Sequence, residues 1–183
     1  MASIALVTGG CRSGKSAYAQ ETAERISSSR LYVATCPATD DEMRRRIEAH
    51  RQSRHGRQWE TVEEPVDLAG VFRSHSDYGA VLVDCVTLWV NNLMYDAQRE
   101  GRTIDEVRIA ADCHTMLDAA AQCAGAVIFV TNEVGLGIVP ENAQARHYRD
   151  LVGRANQVIA GRAERVTLLA CGIPLTLKEP RKT

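Results

Sequence analysis

A glycine-rich stretch near the start of the chain has the spacing of a phosphate-binding loop. Residues 9–16 match G-x-x-x-x-G-K-[ST] in full. Its glycines let the backbone turn so that N–H groups face phosphate oxygens, and the N-terminus of the following helix adds a partial positive charge. In this pattern the lysine reaches the β- and γ-phosphates and the last hydroxyl coordinates Mg²⁺. The sequence therefore predicts a nucleoside triphosphate site. The predicted loop residues are Gly9, Gly10, Cys11, Arg12, Ser13, Gly14, Lys15 and Ser16.

A carboxylate is expected to hold the metal together with Ser16, at the end of another buried strand. Residues 80–84 read Ala-Val-Leu-Val-Asp, so Asp84 is the candidate. An apolar strand also often ends in Asp because that residue favours turns and helix caps. No Asn-Lys-x-Asp run is present, which disfavours a GTPase-type switch.

Residues 40–60 contain six arginines in addition to His50. If this segment is a helix, Arg46, His50 and Arg54 recur every four residues and form one stripe. Guanidinium groups bind phosphate oxygens in pairs, and a neutral imidazole nitrogen is a nucleophile, so the stripe could handle phosphate. Spacing alone favours a simpler interpretation, a solvated helix with i,i+4 ion pairs such as Glu42–Arg46. An RNA-binding helix is a third possibility, weakened by the interleaved acids and the absence of stacking aromatics.

The segments between these motifs predict the elements that position them. Compact, β-branched-rich runs at 4–8, 31–35, 80–84, 126–131 and 166–170 indicate strands buried on both faces, and 59–62 is a further short strand. Helices are predicted at 16–26, 40–54, 67–74, 87–99, 104–122 and 143–161, with capping boxes beginning at Thr39 and Thr103. This alternation predicts a single α/β domain over residues 1–183, with an open, mostly parallel central sheet.

Composition limits the other function classes. The chain has 183 residues, 45% hydrophobic and 25% charged, with a net charge of −1, which argues against a protein-wide nucleic-acid-binding surface. No run reaches the roughly 18 apolar residues of a membrane span, and the N-terminus lacks the pattern of a secretory signal. Six cysteines without a C-x-x-C pair indicate a reduced, cytoplasmic setting.

Four blocks of sequence carry a resemblance to a known enzyme family. They are the loop with its preceding strand at 6–16, Tyr-Val-Ala-Thr at 32–35 with the Arg/His segment after it, 83–93, and Val-Thr-Asn-Glu-Val-Gly-Leu-Gly-Ile-Val-Pro at 130–140. On these blocks the chain resembles the bifunctional adenosylcobinamide kinase / adenosylcobinamide-phosphate guanylyltransferase family of cobalamin biosynthesis. The resemblance implies a P-loop NTPase-type, RecA-like three-layer fold and a homo-oligomer, specifically a trimer.

The resemblance also implies a two-step chemistry with Mg²⁺, in which ATP or GTP phosphorylates adenosylcobinamide and GTP then donates GMP to adenosylcobinamide-phosphate. His50 occupies the position of the family's guanylylated histidine, and Lys15 acts on the phosphates. By position, nucleotide contacts beyond the loop fall on Val33, Ala34, Thr35, Arg51, Gln52, Ser53, Arg54, Glu63 and Asp84. The loop at 132–140 has no role derivable from the residues; a connector, a corrinoid contact and a subunit contact all fit.

Two other functions stay open at this point. A P-loop kinase of another pathway would use the same loop and leave His50 on the surface. A P-loop ATPase could instead bind nucleic acid through the arginine-rich helix.

Overall fold

The structure is a computed structural model that describes residues 2–37, 45, 48, 52, 54 and 56–180. Within these residues, none of the helices combines the length and the apolar character needed to cross a membrane.

Seven strands form one sheet in the order β3-β2-β4-β5-β1-β6-β7. All neighbouring pairs are parallel except β6 and β7, which run antiparallel. The strands are β1 Ile4–Gly9, β2 Arg30–Ala34, β3 Trp59–Glu63, β4 Ala80–Asp84, β5 Ala126–Val130, β6 Arg165–Ala170 and β7 Ile173–Lys178. Strand β5 therefore lies between the strand that leads into the glycine-rich loop and the strand that ends in Asp84.

Helices cover both faces of the sheet, which makes three layers. They are α1 Lys15–Ile26, α2 Leu68–Ser74, α3 Val86–Arg99, α4 Glu106–Ala120 and α5 Ala143–Arg162, with a 3₁₀ turn at Val134–Leu136. Helices α2 to α5 pack on one face, against side chains such as Leu6, Val83 and Phe129. Helix α1 packs on the other face through Ala19 and Ala23. This architecture confirms the predicted α/β fold with an open, mostly parallel sheet.

Alternating strand residues divide between these two faces, because successive side chains of a strand point in opposite directions. Strand β4 shows the pattern: Val81 and Val83 belong to the cluster under α2–α5, whereas Ala80 and Leu82 belong to the cluster under α1. All four side chains are fully buried. Burial on both faces explains why these strands appear in the sequence as continuous apolar runs.

Two local predictions are wrong. The predicted capping box at Thr103 does not form, because α4 begins later and its N-cap is Asp105, whose carboxylate accepts a hydrogen bond from the Arg108 N–H. Strand β7 is absent from the prediction because all six of its residues are exposed, so burial imposes no apolar pattern on it.

The predicted capping box at Thr39 lies outside the described residues. Of the helix predicted at 40–54, only residues 45, 48, 52 and 54 are described, and they are helical.

Candidate active site

The glycine-rich loop joins β1 to α1 at the carboxyl edge of the sheet, where open α/β sheets bind their ligands. Gly14 has φ +93°, a left-handed conformation that favours glycine. Gly9 has φ +150°, and a Cβ there would collide with the Leu169 carbonyl oxygen of β6. The Ser13 hydroxyl is buried and has no hydrogen-bond partner within the part of the chain that the structure describes. An orphaned donor in this position suits a ligand with acceptor oxygens.

Lys15 is the first residue of α1, and its ammonium group bends back over the loop. Its Nζ donates to the Gly10 carbonyl at 2.7 Å, and the residue is only 8% exposed. Burial lowers the pKa of Lys15 from its ordinary value, and the negative charge of Asp84 opposes that shift. The ammonium is thus held close to the mouth of the loop and within electrostatic reach of Asp84, the last residue of β4.

Asp84 is fixed by a tyrosine of the neighbouring strand. The Tyr32 hydroxyl donates to Asp84 Oδ2 at 3.0 Å, and the Arg54 guanidinium lies 3.5 Å from the centre of the Tyr32 ring. Burial and the adjacent carboxylate raise the pKa of Tyr32 well above its ordinary value, so the phenol keeps its proton and remains a donor. This stack connects the arginine-rich helix, through Arg54, to the carboxylate at the end of β4.

Thr35 supports the turn that follows Asp84. The Thr35 hydroxyl donates to the Cys85 carbonyl and accepts from the Cys85 N–H, both at 2.8 Å. The Asp84–Cys85 peptide bond that these contacts flank is cis. Asn92 of α3 in turn donates to the Thr35 carbonyl at 2.8 Å. The hydroxyl of this predicted nucleotide contact is therefore engaged within the protein.

Two of the remaining predicted contacts, Ala34 and Glu63, lie in one row with Asp84 across the sheet edge. Parallel pairing aligns Glu63 with Ala34, and Ala34 with Asp84. Val33 lies on the other face of the sheet and is fully buried under α2–α5, whereas Glu63 is exposed. Strands are spaced by about 4.8 Å, so Glu63 and Asp84 are roughly 10 Å apart along this row.

The arginine-rich segment is described at only a few positions. Gln52 is exposed and Arg54 is buried against Tyr32. His50, Arg51 and Ser53 lie outside the described residues, and their roles stay predictions.

The predicted site residues do not include a polar network that lies behind the loop. The Glu133 N–H donates to the Gly9 carbonyl at 3.1 Å, and Glu133 Oε1 accepts from the Thr8 hydroxyl at 2.9 Å and from Asn156 Nδ2 at 3.3 Å. Asn156 also donates to the Asn132 carbonyl at 3.1 Å and accepts from the buried Thr131 hydroxyl at 2.6 Å. The polar run Thr-Asn-Glu directly after the buried strand β5 is the sequence signal that points to this network.

The network continues to the start of α3. Asn132 Nδ2 donates to the Thr87 hydroxyl at 3.0 Å, and the Tyr148 hydroxyl of α5 donates to the Thr87 carbonyl at 3.1 Å. Burial is the main reason that the pKa of Tyr148 is raised to about 12 and that of the neighbouring Cys85 to about 11. Both groups are therefore neutral at physiological pH.

The loop and the end of β4 offer oxygen ligands of the kind that Mg²⁺ takes. Within the described ranges, no group of three or more His, Cys, Asp and Glu side chains is placed to hold a metal. A hydroxyl at Ser16 and a single carboxylate at Asp84 match the way Mg²⁺ is bound, by one or two protein oxygens together with substrate phosphates and water.

Comparisons with known proteins agree on one family. A family model described as cobinamide kinase / cobinamide phosphate guanyltransferase matches residues 5–177. The chain is 43% identical to the bifunctional adenosylcobalamin biosynthesis protein CobU of Escherichia coli, over 94% of this chain and 98% of that protein. It is 41% identical to the bifunctional adenosylcobalamin biosynthesis protein CobP of Pseudomonas aeruginosa, over 94% of this chain and 96% of that protein.

Proposed function

The chain belongs to the cobinamide kinase / cobinamide phosphate guanyltransferase family, and from this membership we propose how one nucleotide site serves both reactions. The enzyme phosphorylates a cobinamide with a nucleoside triphosphate and transfers GMP from GTP to the cobinamide phosphate, as a step of cobalamin biosynthesis. The observation that carries the proposal is the meeting of the glycine-rich loop, Lys15 and Asp84 at one sheet edge. The other two functions considered from the sequence are not favoured.

In the kinase reaction, a hydroxyl of adenosylcobinamide attacks the γ-phosphorus of ATP or GTP, and the nucleoside diphosphate leaves. Such transfers are catalysed mainly by positioning and by neutralising charge. The loop N–H groups bind the phosphates, and the Lys15 ammonium, held at the loop mouth by the Gly10 carbonyl, is available to the β- and γ-phosphates. Nucleotide contacts are proposed for the loop and for the further residues assigned by resemblance.

In the transferase reaction, we propose that neutral His50 attacks the α-phosphorus of GTP. A P–N bond forms, the bond to the bridging oxygen breaks, and pyrophosphate leaves. A phosphate oxygen of adenosylcobinamide-phosphate then attacks the same phosphorus and displaces His50, which gives adenosylcobinamide-GDP. The stacking of Arg54 on Tyr32 supports this assignment, because it places a helical residue four positions from His50 against the tyrosine that donates to Asp84.

Mg²⁺ is proposed to bind at Ser16 and Asp84 together with the nucleotide phosphates. When bound, the ion would neutralise phosphate charge that the single ammonium of Lys15 cannot balance alone. Tyr32 donates to one oxygen of Asp84 and so orients the carboxylate. A trimer is also proposed, on the family resemblance.

GTP labelled at the α-phosphate tests the histidine intermediate. Wild-type protein with Mg²⁺ should acquire an acid-labile, alkali-stable label, and His50→Ala should acquire none. His114→Ala is the matched control, because His114 is exposed on α4, and it should label like the wild type. An unlabelled wild-type protein would contradict the transferase mechanism. Lys15→Ala should lose both reactions, and full GTP binding by that variant would contradict the loop assignment.

A further inference from the structure

Glu133 is the acidic side chain beside the loop that neither proposed reaction has used. It follows β5, and it continues the parallel pairing with β1, since the Thr131 N–H donates to the Val7 carbonyl at 3.0 Å and the Glu133 N–H to the Gly9 carbonyl at 3.1 Å. The residue is therefore attached by its backbone to the first glycine of the loop. The residue is half-buried, so part of it is exposed to solvent.

The carboxylate of Glu133 is held on one oxygen. Oε1 accepts from the Thr8 hydroxyl and from Asn156 Nδ2, and Asn156 is itself fixed by Thr131 and the Asn132 carbonyl. Among the described residues, nothing donates a hydrogen bond to Oε2. A carboxylate with one anchored oxygen and one available oxygen is oriented to accept a proton from a bound hydroxyl.

Glu133 also lies directly beside the loop at which phosphoryl transfer is expected. In loops of this type the lysine contacts the β- and γ-phosphates. The Lys15 ammonium is 2.7 Å from the Gly10 carbonyl, and Gly10 follows Gly9, whose carbonyl accepts from the Glu133 N–H. Val130 of β5 pairs with Asp84 of β4 on one side and with Val7 of β1 on the other. Glu133 follows β5 and therefore lies between the two strands that carry the site.

The two faces of the sheet edge separate Glu133 from Arg54. Thr8 follows Ile4 and Leu6 in alternation, so it points toward α5, where Asn156 also lies. Asp84 follows Ala80 and Leu82 in alternation, so it points toward α1, and Arg54 stacks on Tyr32 on that side. An acceptor hydroxyl beside Glu133 would therefore approach the triphosphate from the face opposite to Arg54.

We propose that Glu133 is the general base of the kinase reaction and has no catalytic part in guanylyl transfer. This rests on the proposed function. The acceptor hydroxyl oxygen forms a bond to the γ-phosphorus while its proton passes to Glu133 Oε2, and the bond between the γ-phosphorus and the β,γ-bridging oxygen breaks. The nucleoside diphosphate carries away that electron pair, and Glu133 later releases the proton to water.

Glu133→Gln tests the role, because the amide keeps an acceptor oxygen for Thr8 and Asn156 but cannot take up a proton. General-base removal typically costs a factor of about 10² to 10⁴, so phosphorylation of adenosylcobinamide should fall at least about 100-fold. Labelling of the protein by α-labelled GTP should stay within about threefold of the wild type. Glu133→Asp keeps the carboxylate on a shorter side chain and should retain more kinase activity than Glu133→Gln.

Glu141→Gln is the matched control, because Glu141 is an exposed acid in the segment just after Glu133. Both reactions should be unchanged in it. Kinase activity of Glu133→Gln within threefold of the wild type would overturn the role of Glu133 alone. A parallel loss of both reactions with a lowered melting temperature would also overturn it, by showing that Glu133 only supports the loop. A wild-type protein that labels with GTP but does not phosphorylate adenosylcobinamide would instead contradict the kinase half of the proposed function.

Discussion

Asn156 is the centre of the polar network behind the loop, and Asn156→Ala should destabilise the protein by about 3 kcal/mol. The side chain is 8% exposed and makes three hydrogen bonds, to the Thr131 hydroxyl, the Asn132 carbonyl and the Glu133 carboxylate. Each such bond contributes about 1 kcal/mol, and the bond to the charged group about 1.5 or more. The Thr131 hydroxyl, which is fully buried, would also lose its acceptor.

Urea denaturation of the variant and the wild type measures this loss directly. With a slope of about 2 to 3 kcal/mol per molar urea, the midpoint should fall by about 1 to 1.5 M. The melting temperature should fall by roughly 6 to 12 °C, since 1 kcal/mol corresponds to about 2 to 4 °C for a chain of this length. A loss below about 1 kcal/mol would refute the reasoning, because it would mean that water replaces these hydrogen bonds at little cost.

Two further variants separate the network from ordinary losses. Asn142→Ala removes the N-cap of α5, which accepts from two backbone N–H groups at the surface, and should cost only about 1 kcal/mol. Thr131→Val removes the partner hydroxyl within the network. Combined with Asn156→Ala, it should cost less than the sum of the two single changes, by about 1 kcal/mol. Strict additivity would contradict the direct contact between Thr131 and Asn156.

Three other predictions follow from single positions. Gly153→Ala should stabilise the protein by about 0.5 to 1 kcal/mol, measured by chemical denaturation. Gly153 lies inside α5, and a Cβ at this position meets nothing within 4 Å. A destabilised variant would contradict this prediction. Tyr32→Phe should lower the free energy of unfolding by about 1 to 2 kcal/mol, because the Asp84 carboxylate loses a donor while the ring under the Arg54 guanidinium stays. An unchanged denaturation midpoint would show that this hydrogen bond has no net effect. After treatment with iodoacetamide at about pH 8, peptide mapping should find Cys11 modified and Cys113 intact. Cys11 is exposed, whereas burial raises the pKa of Cys113 to about 12. Equal labelling of the two thiols in the folded protein would contradict this prediction.

The sequence predicts the sheet well where strands are buried on both faces. The run 80–84 is predicted and observed with the same limits, because every side chain up to Val83 faces a layer of helices and must be apolar. Strand β7 shows the opposite case, since its exposed residues carry no such constraint and only pairing with β6 defines it. The start of α4 differs for a third reason: Thr103 and Asp105 are both good N-caps, and the sequence alone does not choose between them.

The candidate site divides in the same way. The conformation of the glycine-rich loop depends on local backbone geometry, so its pattern at residues 9–16 is recognisable in the sequence alone. Its contact with phosphate stays a prediction. The assignments of His50 and of the other nucleotide contacts stay predictions that rest on the resemblance. Tyr32 is different, because its hydroxyl belongs to β2 and its acceptor Asp84 to β4, fifty-two positions away.

What the sequence by itself determined is the class of fold, the glycine-rich loop motif and the family, because each is encoded in short-range periodicity or in contiguous motifs. Only the tertiary structure decided which polar groups share the carboxyl edge of the sheet. Inserting β5 between β1 and β4 brings Glu133 against Gly9 and Thr8, which precede it by more than 120 positions. Strand order depends on packing of the whole chain rather than on neighbouring residues. The partners of Glu133 therefore become visible only in the folded protein.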